Sequence, residues 1–206
     1  MREWGEGTRV RASRPSSPRL DPMARIKGTN LVHTQSFIDS VFGLEGWASV
    51  GAELPRETRL ALESVVAVGW YPARLHTDLL HAIDRALGPS HPGILARAGA
   101  YSAEYDVTRI HRILFRVANP GVILEKTSEI WARFFDTGTW TVERPTSTTT
   151  VSTLRDFEIV DSSYCAYLCG YFVRMFELIG AEDVHLAHPL CRARGDDVCR
   201  FDGSWR

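Results

Sequence analysis

The chain has 206 residues, 44% of them hydrophobic and 24% charged, with a formal net charge of −1. That length suits one domain with its own core, and the near-neutral balance excludes a protein that works mainly by electrostatic attraction to nucleic acid or an anionic membrane. No apolar run approaches the roughly 18 residues of a bilayer-spanning helix and no apolar stretch near the N-terminus reads as a secretory signal, so a cytoplasmic protein is expected.

Residues 1–26 read as a disordered basic extension, rich in Arg, Ser, Pro and Gly and including Arg14-Pro15-Ser16-Ser17-Pro18-Arg19. Met23 opens a more conventional segment and is an alternative start. Residues 27–206 are expected to form one α+β domain. From Thr34 to about Phe135 the pattern is helical. Leu75, Leu79, Ile83 and Ala86 recur at helical spacing after Pro72, and Gly88-Pro89 ends that segment. Gly69-Trp70-Tyr71-Pro72 reads as a helix entry anchored by buried aromatics. His76 and His81 are five apart on a helix and diverge, so a metal pair there is not expected. Ile123, Leu124, Thr127, Ile130, Trp131 and Phe134 form a further single-sided stripe, read as a packing surface.

After Gly138 the chain turns to β-formers, and 139–144 and 150–160 are expected to be antiparallel strands. Asp161 or Ser162 can then cap a long helix. Its apolar residues Tyr164, Leu168, Tyr171, Phe172, Met175, Phe176 and Ile179 keep the helical period, and Gly180 stops it. Two more strands, 183–190 and 197–205, flank the turn Arg194-Gly195-Asp196-Asp197. The expected fold is a helical layer packed on a small antiparallel sheet of about four strands.

All four cysteines lie late in the chain: Cys165 and Cys169 on the long helix, then Cys191 and Cys199 with seven residues between them. In a reducing compartment such a cluster points to a metal or redox site rather than to disulfides. His188 precedes Cys191 by three and alternates onto the strand face opposite His185, so a hairpin could aim three soft ligands at one point. Cys165 would complete a tetrahedron. A closed set of nitrogen and sulfur ligands favours structural zinc. Cys165 and Cys169 share a helical face, and their spacing is not the Cys-x-x-Cys of thiol oxidoreductases.

The stretch from Tyr164-Cys165 through His188-Pro189-Leu190-Cys191 to Gly195-Asp196-Asp197-Val198-Cys199-Arg200-Phe201 resembles the end of the vinyl-4-reductase domain, and the segment from Lys27 onward is similar to a paralogous family of myxobacterial proteins. The resemblance implies a TRAPP-subunit-like fold, a homodimer and an apolar ligand cavity. It also implies a zinc held by Cys165, His188, Cys191 and Cys199, with histidine where related sensors carry an acidic ligand. Those sensors place a histidine and a tryptophan on a phenol pocket. His111 and Trp140 are the candidates for these places, with Met175 on the long helix beside them.

The expected function is a non-catalytic small-molecule-binding or signalling module with a structural zinc, taking an apolar or aromatic ligand and signalling through a protein partner. The alternative is an enzyme, or an enzyme accessory, acting on a tetrapyrrole or another conjugated small molecule. No Gly-x-Gly-x-x-Gly, phosphate-binding loop or Gly-x-Ser-x-Gly is legible.

Overall fold

The computed structural model describes residues 24–106, 124 and 126–206. The expected N-terminal extension falls almost wholly outside them, but its last residues belong to the fold: Ala24 and Ile26 are buried, and Arg25–Lys27 form strand β1. β1 pairs antiparallel with β2 (Trp70–Pro72), with Ile26 opposite Tyr71. The segment expected as a helix entry is therefore a strand. Pro72 sits at its end, where a missing N–H costs the ladder least, and the helix begins two residues later. Gly28 follows β1 in a place where a Cβ would lie 2.1 Å from the Val66 carbonyl oxygen, so no larger residue fits there.

Four helices come next: α1 (Gly28–Glu53), α2 (Arg56–Leu62), α3 (Arg74–Leu87) and α4 (Ile94–Tyr105). α1 is broken at Gly43, whose φ of 58° only glycine adopts at little cost. α3 buries Leu75, Leu79, Leu80, Ile83 and Leu87 along one stripe, as the sequence spacing requires. After helix α5 (Thr127–Phe134), β3 (Thr139–Thr146) and β4 (Thr149–Arg155) form a hairpin. β4 ends sooner than expected because Asp156 takes a left-handed conformation, φ 52°, which turns the chain out of the sheet.

The long helix α6 spans Ser162–Leu178. Asp161 caps it by accepting a hydrogen bond from the Tyr164 N–H at 2.9 Å, and Gly180, φ 97°, follows its end. β5 (His185–Leu190) and β6 (Cys199–Ser204) complete a four-stranded antiparallel sheet in the order β3-β4-β6-β5. β5 is an edge strand, which is why Pro189 is tolerated within it.

Six α-helices and this sheet make the described architecture α+β, as expected. α4 and α6 cross in backbone contact. A Cβ on Gly99 would lie 1.9 Å from the Tyr167 carbonyl oxygen, and one on Gly170 1.9 Å from that of Ala96. The sheet packs on α6 through Trp140 and Phe201, whose rings meet Phe172 at 4.8 and 5.6 Å. No helix among the described residues is long and apolar enough to cross a membrane.

Candidate metal centre and adjoining cavity

The cysteine hairpin is built locally. A 3-10 turn, Arg192–Arg194, and Gly195 at φ 99° reverse the chain, and the Asp196 carboxylate accepts a 2.7 Å hydrogen bond from the Cys191 N–H. Arg194 braces the turn by donating to the His188 and Pro189 carbonyls at 2.7 and 3.1 Å. Register pairs Cys199 with Leu154 at the start of β6, and the first turn of α6 brings Cys165 over the same point.

The ligand atoms of Cys165, His188, Cys191 and Cys199 all lie within 4.8 Å of one another, and the three sulfurs are buried. Cys165 Sγ is 3.7 Å from Cys191 Sγ and 3.9 Å from Cys199 Sγ. Metal–sulfur bonds of about 2.3 Å at tetrahedral angles would separate sulfurs by about 3.8 Å, so the sulfurs already stand where a tetrahedral ion needs them. His188 Nδ1 lies 2.9 Å from the Arg200 carbonyl oxygen, to which it donates, and the buried Nε2 has no hydrogen-bond partner. A backbone carbonyl on one ring nitrogen with the other left bare is the arrangement that orients an imidazole for a metal.

Electrostatics agree. Contact with the Cys199 sulfur raises Cys165 well above the ordinary thiol value, and burial adds to the rise. Cys199 is drawn down to about 4 by that same contact, against burial, which opposes it. This set could hold a metal ion. Cys169 is half-buried one turn further along α6 and is not among the four.

A cavity of about 100 Å³ is lined by residues of α5, α6 and β3 together with Asn30 of α1 and Asp106 just after α4. Trp131, Phe135, Trp140 and Phe172 form its aromatic wall, with Trp131 and Trp140 stacked at 5.3 Å. Trp140 and Met175, both expected on a pocket, line it; His111 lies outside the described residues. Trp131 and Phe134, read from the sequence as packing residues, also line it.

The sequence reading missed the polar corner. Asp106 is 5% exposed and lines the cavity. Its Oδ2 accepts from the Tyr171 hydroxyl at 2.9 Å, whereas Oδ1 has no hydrogen-bond partner, and His33 Nδ1 stands 3.4 Å away without hydrogen-bond geometry. The available signal was a carboxylate continuing the buried stripe Ser102, Ala103 of α4. Burial pushes Asp106 up to about 7, against an opposing pull from Tyr171, and holds His33 down to about 4.

The folded state therefore keeps the Asp106 proton longer than the unfolded chain does. Its contribution to stability is full below about pH 4 and is lost as pH rises toward 7. His33 acts oppositely, losing its contribution as pH falls from 6.5 toward 4. Substituting Asp106→Asn isolates the first effect. Relative to wild type, the variant should gain up to about 4 kcal/mol between pH 4 and pH 8. Urea unfolding at both pH values measures this, and a difference independent of pH would refute it.

Beyond the cavity, His76 is fully buried, 2.8 Å from the Thr34 hydroxyl and in edge contact with the Tyr164 and Tyr167 rings. His81 Nε2 lies 2.7 Å from the capping carboxylate of Asp161. The two histidines do diverge, and each has a structural partner.

No known family profile matches the chain, and no curated protein matches it. Solved structures do. An Fe(II) unliganded H-NOX protein from K. algicida aligns with TM-score 0.66 and 14% identity over 88% of this chain and 97% of its own. An H-NOX protein from S. oneidensis in the Fe(II)NO ligation state aligns with TM-score 0.67 and 10% identity over 88% and 99%. A structure probing heme distortion in the H-NOX family aligns with TM-score 0.66 and 9% identity over 88% and 95%.

These likenesses overturn the resemblance to the vinyl-4-reductase domain and its TRAPP-subunit-like fold, and with it goes the ground for the homodimer. The physical reason is locality. A cysteine hairpin and the helix before it are set by nearby residues and do not dictate how the preceding helices are arranged. The chain has an H-NOX-like fold.

Proposed function

We propose that this chain is a non-catalytic sensor module: a small molecule enters the aromatic cavity while a structural zinc, held by Cys165, His188, Cys191 and Cys199, fixes the sheet against α6. The observation that carries this reading is shared architecture. α6 bears Cys165 near its start and Tyr171, Phe172 and Met175 on the cavity wall, and β6 bears Cys199 beside Phe201, which packs on that wall's Trp140 and Phe172. On this reading, a change at the cavity acts on the same helix and strand that the metal joins. Three thiolates and one imidazole are a soft, closed set that favours zinc and leaves no open position for chemistry.

Titration with isobutanol, followed by tryptophan fluorescence, tests the cavity. Saturable change that is diminished when Trp140 is replaced by Leu is expected; no response in the intact protein would contradict the reading.

The likeness to H-NOX proteins favours a second reading, in which the occupant is a heme-type tetrapyrrole. This is close to the alternative drawn from the sequence. The described lining residues supply neither an imidazole nor a thiolate to an iron, and about 100 Å³ is small beside pockets for drug-sized ligands, roughly 300–1,000 Å³. The described cavity does not fit a macrocycle, and an imidazole for the iron would have to come from outside its described lining residues, with His111 the candidate from the sequence. Hemin titration decides between the two. A one-to-one Soret band that is lost in His111→Ala would establish the tetrapyrrole, and its absence would leave the smaller ligand.

A further inference from the structure

Two residues that line the cavity each carry a buried polar atom without a hydrogen-bond partner: the acceptor Asp106 Oδ1, 3.4 Å from His33 Nδ1, and the donor Trp140 Nε1. A buried carboxylate with an open lone pair is costly to keep, because desolvation of the charge is not offset. Among the described residues, the ionisable group facing Asp106 Oδ1 is His33, whose Nδ1 stands 3.4 Å away. Burial holds His33 in its neutral form, and burial also raises the Tyr167 and Tyr171 phenols, so both keep their protons. Arg133, the single cation among the described lining residues, is exposed at the rim and faces water. Its repulsion of a second cation is screened there. The rest of the wall is largely apolar and aromatic, Trp131, Phe135, Trp140 and Phe172 among it.

We propose that the cavity is a binding site for a small primary amine, whose ammonium sits on Asp106 Oδ1 and whose carbon body lies against the indole and phenyl walls. An oxygen on the same molecule would answer the Trp140 N–H. The size follows from the space: an apolar cavity of about 150 Å³ holds benzene, so one of about 100 Å³ takes a body of a few carbons. The inference rests on the ligand-sensing reading and narrows its chemistry from an apolar molecule to a cationic one.

The test uses the metal-loaded full chain and three probes of one shape: isobutylamine, isobutanol and isobutyrate. Affinities are read at pH 8 by NMR chemical-shift titration. Isobutylamine should bind at least about tenfold tighter than isobutanol, since a charge-assisted hydrogen bond is roughly twice as strong as a neutral one, and isobutyrate should bind weakest. In Asp106→Asn the amine preference should vanish while isobutanol binding is kept. Retained isobutanol binding shows that the variant's cavity is folded, so loss of the amine preference cannot be assigned to unfolding. Equal binding of amine and alcohol to the wild type would overturn the amine assignment and leave the cavity reading intact. No binding by any probe would overturn both.

Discussion

Replacing Cys199 by Ser, or removing metal with a chelator, is expected to lower the melting temperature of the metal-loaded protein by roughly 8–16 °C. The estimate follows from linkage. An ion present at a thousand times its dissociation constant stabilises the folded state by about 4 kcal/mol, and each kcal/mol moves the melting point of a chain of this size by about 2–4 °C. Cys199 is the sharpest choice because its sulfur lies 3.9 Å from Cys165 Sγ within the four-residue cluster, and the Arg192 N–H also points at it, 3.5 Å away. Cys169→Ser is the control. It lies outside the cluster, so its metal content should match the wild type and its melting point should not fall on chelation by any more than the wild type's does. Because metal competes with protons for the thiols and for His188, affinity should weaken as pH falls. Differential scanning calorimetry with and without chelator measures all of these, and a Cys199→Ser protein that still loses stability to chelator would contradict the assignment.

Gly170→Ala should destabilise the fold by about 3 kcal/mol or more, beyond the usual range for an overpacked core. In the interior of a helix this change ordinarily helps by about 0.5–1 kcal/mol, since alanine has the higher helix propensity. Here the sign reverses. The new Cβ would lie 1.9 Å from the Ala96 carbonyl oxygen and 2.6 Å from its Cα, and backbone of a packed helix cannot step aside as a side chain would. The two helices would have to separate, opening the cavity wall that Tyr167 and Tyr171 supply from the same stretch of α6. Gly51→Ala gives the comparison: it lies in α1 with nothing within 4 Å of the added carbon, so it should be neutral or slightly stabilising. Urea unfolding of the pair tests the argument, and similar effects at both positions would refute it.

The long helix, the four strands after Gly138 and the convergence of four ligands were legible because each rests on local spacing. α6 has a capping aspartate, a 3.6-residue stripe and a glycine after its end. The hairpin has a turn sequence between two cysteines, and strand alternation chose His188 over His185. What was not legible was set over distance. Trp70–Pro72 becomes a strand only because Arg25–Lys27, far earlier in the chain, supplies the partner. Asp106 gains significance only when α4 crosses α6 and brings Tyr171 to it. The overall arrangement of helices suffered most. The local likeness of the C-terminal hairpin pointed to one fold, and packing of helices that the hairpin does not control produced another.

X-ray absorption at the zinc edge of the protein purified without added metal tests the central claim most directly. One zinc per chain surrounded by three sulfurs at about 2.3 Å and one nitrogen at about 2.0 Å is the predicted result. A protein free of zinc, or a zinc surrounded only by oxygen and nitrogen, would contradict it.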